Sequence, residues 1–349
     1  MYGHRNNVQD TSESTAKRPN ITEMKLLSAD IGATNARFAL FVDGHHMASC
    51  VLSSAELQHQ ADESGVVVVL KALNILQQEA DISGIQGACL AVAGPVSNGI
   101  AKLTHRKLQF IDKELLGYFG YPFTVVNDLY ATALGLDLLD SSTLVQIGTD
   151  QEQEVGGNRG VVAVGTGLGM SIVTGSNAQS VVVLPTEGGH MPVAATNALE
   201  KELVTAAEAR VDTVTYEYFL SGPGLVILYI AMCAVWGSKA EELSPEDVSE
   251  RGLQFEPVCH KTLETFAGFL GTAASILGLM ALPVGGIFIG GTVGLVLRTI
   301  LEEEHFRRSF VGRGIQQELL KGVPTWLVTD THVGILGAAQ CAREMKTTV

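Results

Sequence analysis

The groups best placed to do chemistry in this sequence are carboxylates and glycines set where apolar runs break. Ser28-Ala29-Asp30-Ile31-Gly32-Ala33-Thr34-Asn35-Ala36-Arg37 lies between Lys25-Leu26-Leu27 and Phe38-Ala39-Leu40-Phe41-Val42. An apolar run, a small-residue turn with one carboxylate and a second apolar run read as a β-hairpin with a polar tip. Gly32 and Ala33 let backbone N–H groups approach an anion, and Asp30 at the strand end is placed to orient Mg2+. Such a tip suits a phosphate; a polar turn with no ligand is the alternative on this stretch alone. A second glycine-dense turn, Gly165-Thr166-Gly167-Leu168-Gly169, falls between the apolar runs Gly160 to Val164 and Met170 to Thr174. Asn127-Asp128 stands where the apolar run Phe123 to Val126 gives way to a helical pattern, the edge at which open α/β sheets bind ligands.

The elements that must position these groups follow from periodicity. His46 to Leu52 suits a third strand after the opening hairpin, and Glu63 to Ala80 has the spacing of an amphipathic helix. Gly87 to Ala93 is a small, apolar run of the kind found in a buried central strand, ended by Gly94-Pro95, and Ile100 to Leu103 suits a short strand. Leu129 to Leu139 predicts a helix, and Asp150 to Arg159 a polar loop before a second half begins. That half contains Val181 to Leu184 as a strand, helices near Leu199 to Ala209, Gly224 to Trp236 and Val258 to Ala281, strands at Ile287 to Ile289 and Thr325 to Val328, and a closing helix from Val333 to Met345. Two strand–glycine turn–strand units point to an internal duplication, each half lending one hairpin to a shared cleft.

Composition narrows the class. A chain of 349 residues with 46% hydrophobic content can bury a substantial core. A formal charge of -14 opposes nucleic-acid or anionic-membrane binding, and Arg307-Arg308 is the one basic cluster. The five cysteines, at 50, 89, 233, 259 and 341, form no close pair, which argues for reduced thiols in the cytoplasm and against a zinc knuckle or disulfide framework. Met1 to about Thr22 is polar and reads as a disordered leader. Thr265 to Leu297 carries no charge, long enough to span a bilayer, but Pro283-Val284-Gly285-Gly286 and Gly290-Gly291 split it into a buried helix, a strand and a turn, and no basic flank anchors it.

The chain has no Walker loop; Gly165 to Gly169 runs GxGxG where a dinucleotide fingerprint needs GxGxxG; no Asp-Phe-Gly marks a protein kinase. The two-hairpin arrangement that remains resembles the actin, sugar-kinase and heat-shock ATPase superfamily. Within it, separated stretches in order resemble the bacterial, hexokinase-like glucokinase family from about Met24 to the C-terminus. Asp30 to Arg37 is similar to its first phosphate motif, Asn127-Asp128 to its sugar and catalytic pair, and Gly165 to Gly169 to its second phosphate motif. Glu187-Gly188-Gly189-His190 resembles its sugar loop, Glu217 with Leu220-Ser221-Gly222-Pro223-Gly224-Leu225 its next sugar-contacting segment, and Gly285-Gly286 with Gly290-Gly291 its adenosine-side motif. The cysteine cluster of the related repressor and kinase family is missing, as is any added helix-turn-helix domain.

The resemblance implies a two-lobed actin-like (ribonuclease H-like) α/β fold: a leader over 1–23, a small domain over 24–138 plus 333–349, and a large domain over 139–332. It implies an ATP- and Mg2+-dependent kinase acting on the 6-hydroxyl of glucose, and a homodimer. Asp128 would be the base, against its plainer use as a helix cap. Asn127, Glu187, His190 and Glu217 would hold the sugar, His190 and Glu217 alone being as readily a structural histidine and a solvated helix end. Asp30 would organise Mg2+; Gly32, Ala33, Thr34, Asn35, Gly165, Thr166 and Gly167 would cradle phosphates. Gly290 and Gly291 would admit adenosine, or simply pack a strand on a helix. The chain departs from the family at Ala33, where a second glycine is usual, and at Leu103-Thr104-His105-Arg106-Lys107-Leu108, where Leu-Thr-Asn and a nearby Trp are usual. A kinase for another hexose, one using polyphosphate, and a sugar-binding regulator with little turnover stay open.

Overall fold

In a computed structural model, residues 23–32, 34–53, 55–57, 64–103, 108–148, 156–175, 181–312 and 314–346 are described. The leader, Ala33, His105 and the first part of the loop after Asp150 lie outside them.

The first half opens with β1 (Lys25–Ile31), β2 (Asn35–Val42) and β3 (His45–Ser53), followed by α1 (Gly65–Leu76) and β4 (Ile85–Val92). Small strands β5 (Val96–Ser97), β6 (Ile100–Lys102) and β7 (Gln109–Ile111) form their own sheet, then α2 (Asp112–Phe119), β8 (Phe123–Asn127) and α3 (Asp128–Gly135) follow. The five-stranded sheet runs β3-β2-β1-β4-β8, antiparallel through the opening hairpin and parallel from β1 to β8. β4 is apolar apart from Gln86 because it is covered on both faces, as parallel central strands are.

The second half holds β9 (Leu144–Gln146), β10 (Arg159–Val164), β11 (Leu168–Thr174) and β12 (Val182–Thr186). Helices α4 (Ala198–Glu208), α5 (Tyr216–Phe219), α6 (Gly222–Val235), α7 (Pro245–Leu253) and α8 (Pro257–Ala281) come next. Then come β13 (Ile287–Gly290), α9 (Thr292–Val296), α10 (Arg298–Glu302), α11 (Glu304–Val311), α12 (Gln317–Lys321), β14 (Thr325–Val328) and α13 (Val333–Lys346). Its six-stranded sheet, β12-β11-β10-β13-β14-β9, repeats the antiparallel hairpin followed by parallel strands. The chargeless stretch resolves as expected into the end of α8, β13 and α9. At 25 residues α8 is long and apolar enough to cross a membrane, yet most of it is buried against α6, α7 and α11. Arg307 of the one basic cluster donates to the carbonyls of Leu320, Lys321 and Val323.

α3 is shorter than the pattern predicts, giving way to a 3-10 turn at Leu136–Leu138. The helix lies between the two sheets. Ala131 and Leu134 pack with Leu26, Cys89, Ala91, Ala338, Cys341 and Ala342, while Ala133 and Leu136 pack with Val161, Val173, Phe288 and Val328. α13 packs on α3, β1 and β4. A side chain at Gly337 would overlap the Ala131 carbonyl and one at Gly135 the Val333 carbonyl, so only glycine permits this approach of the two helices. Short apolar elements missed by periodicity, such as α2, α9 and α10, are single turns or two, too brief for a helical stripe to register.

Candidate active site

Both glycine turns close as tight hairpins. Gly32 N–H donates to the Asn35 carbonyl at 2.9 Å, and Gly165 N–H to the Gly167 carbonyl at 2.9 Å. Their tips meet: Thr34 Oγ1 lies 3.4 Å from Thr166 Oγ1. Two turns separated widely in sequence thus meet through their threonine hydroxyls.

Asp30 ends β1 opposite Arg37 on β2, and Arg37 Nη1 approaches its carboxylate to 3.6 Å. Gly334, in the first turn of α13, stands against the same carboxylate, where a side chain would crowd it. Burial raises the Asp30 pKa, and Arg37 offsets only part of that. Asp128 begins α3. Burial, then the neighbouring Asp30 charge, push it up to about 6 against hydrogen bonds that favour its ionised form. Two buried carboxylates, both raised by desolvation and one of them also by the charge of the other, leave a site short of positive charge. A divalent cation beside Asp30 would supply it, so these residues fit Mg2+. 

Asn127 is the N-cap of α3, and Asp128 Oδ1 shares its donor, accepting from Leu129 N–H at 2.9 Å. Asn127 Oδ1 accepts from Leu129 N–H at 3.0 Å, and its Nδ2 donates to the Gly94 carbonyl at 3.1 Å. Those bonds hold the end of β8 against the end of β4 and leave one amide hydrogen for a ligand.

The sugar-loop residues stand apart from this cluster. Gly188 and Gly189 are buried, because a side chain at the first would meet Met170 Sδ and at the second the Leu168 carbonyl. Glu187 and His190 point outward, 81% and 60% exposed, with 3.9 Å between carboxylate and imidazole. Their loop is tied to α5: Tyr216 N–H donates to the Met191 carbonyl at 3.0 Å. Glu217, on α5, is no solvated helix end. Its Oε2 accepts from Leu168 N–H at 2.8 Å and abuts Gly167, where a side chain could not fit. Gly222 N–H donates to the Gly165 carbonyl at 2.8 Å, and Ser221 Oγ caps α6 through Gly224 N–H at 3.0 Å. One carboxylate and one helix start therefore brace the second phosphate turn.

Gly291 has φ +93° and packs against the Val164 carbonyl, while Gly290 faces open space. Close packing and ligand access are thus divided between the two glycines. Leu103 and Leu108, which flank His105 in sequence, are buried, and Leu103 N–H donates to the Leu108 carbonyl. Thr292, whose hydroxyl faces Gly165, and Arg37 and Gly334 beside Asp30 are site residues that the sequence reading did not single out. Of these only Arg37 carries a sequence signal, since a two-strand hairpin puts it opposite Asp30.

Comparison with known proteins gives the family. A family model described as glucokinase matches residues 27–345. A glucokinase of Nitrobacter hamburgensis is 35% identical over 319 residues, covering 90% of this chain and 96% of that one. The crystal structure of a glucokinase from an Antarctic psychrotroph superposes with a TM-score of 0.77 at 33% identity, covering 92% of this chain and 99% of that one. A ROK-family glucokinase from Streptomyces griseus, solved with glucose and AMPPNP, shares the fold with a TM-score of 0.64 at 18% identity and coverage of 92% and 99%. With an actin-like sugar-kinase fold and a family match over nearly its whole length, the chain belongs to the glucokinase family.

Proposed function

We propose that this protein transfers the γ-phosphoryl group of ATP to the 6-hydroxyl of glucose in the cytoplasm, with Asp128 as general base. The observation that carries the reading is the meeting of the two hairpin tips at Thr34 and Thr166 beside the paired carboxylates Asp30 and Asp128. Phosphoryl transfer demands alignment, charge neutralisation and a place for the acceptor's proton. The glycine turns orient the phosphate chain through backbone N–H groups, and Gly290 admits the adenosine. Asn127, Glu187, His190 and Glu217 orient the sugar, with the two carboxylates accepting from adjacent hydroxyls. Asp128 takes the hydroxyl proton onto its carboxylate as that oxygen attacks. Asp30 would hold Mg2+, which would supply charge neutralisation for the phosphates. The outward-facing Glu187 and His190 fit a sugar site that closes when occupied, which would exclude water as competing acceptor. Buried thiols throughout suit a reducing compartment. The small domain comprises 24–138 with 333–349 and the large domain 139–332, joined through α3 and α13.

A coupled ATP-dependent assay over a panel of hexoses tests this. Glucose turnover that falls about 100-fold or more in Asp128→Asn, with glucose binding retained, is the expected result. Undiminished turnover in that variant removes Asp128 as base. Turnover on a different hexose alone reassigns the acceptor, and sugar binding without turnover on any hexose makes the protein a regulator.

A further inference from the structure

Away from the cleft, the start of α11 meets the middle of α8. Glu264 of α8 lies with Glu303 and His305 so that one donor atom from each falls within 4.8 Å of the others. His305 Nε2 is 3.4 Å from Glu264 Oε1 and 3.9 Å from Glu303 Oε2; His260 Nε2, one turn before Glu264, is 3.5 Å from the same Oε1. Donors bonded tetrahedrally to a cation at about 2.0–2.1 Å stand about 3.3–3.4 Å apart, so the His305–Glu264 pair already has this spacing and Glu303 must draw in on the other two. From these distances we infer a second cation site, of the zinc class, formed by Glu264, Glu303 and His305, with His260, beside Glu264 but outside that three-donor group, turning in as the fourth donor.

The surroundings favour it. Lys261 Nζ donates to Glu264 Oε2 at 2.7 Å, fixing the carboxylate with Oε1 turned to the histidines. His260 Nδ1 lies 2.9 Å from the Gly252 carbonyl; donating there leaves Nε2 its lone pair, as a metal-binding histidine requires. Two carboxylates balance the charge of a divalent ion, and mixed nitrogen and oxygen donors suit Zn2+ better than Mg2+. A pocket of about 530 Å3 lined by Thr196, Glu200, Glu264, His305 and Arg308 opens onto the cluster and gives a route in. Arg308 Nη2, 3.2 Å from His305 Nδ1, must turn away as the cation displaces the Nε2 proton; its bond to Glu304 gives it an alternative anchor. The loaded site clamps α8 to α11 independently of the kinase chemistry.

Co2+ is the probe, titrated into the full chain in excess Mg2+ with visible absorption recorded and Zn2+ added in competition. One equivalent should give the absorption of a four-coordinate ion, displaced by Zn2+, and affinity should fall at least about ten-fold in both His305→Gln and Glu303→Gln. Glu303 is 41% exposed, so its variant keeps the fold and decides the test alone if His305→Gln does not fold. No saturable absorption in the parent, or a loss smaller than ten-fold in either folded variant, overturns the site.

Discussion

Asp128, the proposed base, is held where the fold would rather have a neutral group. Its pKa near 6 arises from burial first and the Asp30 charge second. A base must be ionised, so kcat/KM should fall with unit slope as pH drops below about 6, read from initial rates across pH 5 to 8. The stability consequence has the opposite sense. A carboxyl whose folded pKa is raised adds stability that is complete below its unfolded pKa, near 3.9, and is lost as pH rises through about 6. Asp128→Asn, permanently neutral, should therefore be more stable than the parent at pH 7 by on the order of 2 kcal/mol, allowing for partial solvent screening. The difference should vanish below pH 4 in urea titrations, and an equal gain at every pH would refute the assignment.

Glycines at element ends decide how closely the ligand-bearing turns approach their supports. Gly291, at φ +93° against the Val164 carbonyl, ends β13 and starts α9. Gly291→Ala must strain the backbone and push on β10, at a cost of about 1–3 kcal/mol. Urea unfolding should register that loss and the KM for ATP should rise, with the KM for glucose little changed; an unaltered ATP KM would separate this turn from the nucleotide. Most long elements were legible from apolar periodicity, and both hairpins from their glycine punctuation. The role of Glu217 was not, because its partner is a backbone N–H some fifty positions earlier in the chain, at Leu168. Nor could spacing say that Asn127 and Asp128 both accept from Leu129 N–H at the start of α3 while Asp128 also feels the Asp30 charge.

Taken as a whole, the molecule has two similar sheets that share α3, on which α13 packs from the side of the first sheet. The C-terminal helix returns to cover Leu26, Cys89 and Ala91 and brings Gly334 against Asp30. Deleting residues 333–349 should uncover that apolar surface and empty one side of the Asp30 site. Loss of soluble, cooperatively unfolding protein is the expected outcome, measured by far-UV circular dichroism and thermal unfolding. A truncated chain that unfolds cooperatively near the parent's midpoint would show that α13 is dispensable to the core.

The sequence by itself determined which turns are glycine-rich and polar, where strands and long helices run, and which family's motifs recur in order. These are local properties, written in the spacing of apolar, small and acidic residues. Tertiary structure decided the rest. It set Thr34 against Thr166 and Asp128 beside Asp30, made Glu217 a brace for the second phosphate turn, and gathered Glu264, Glu303 and His305 between α8 and α11. Each of those relations joins residues far apart along the chain, and its energy depends on burial and on the charge of a neighbour that only folding supplies.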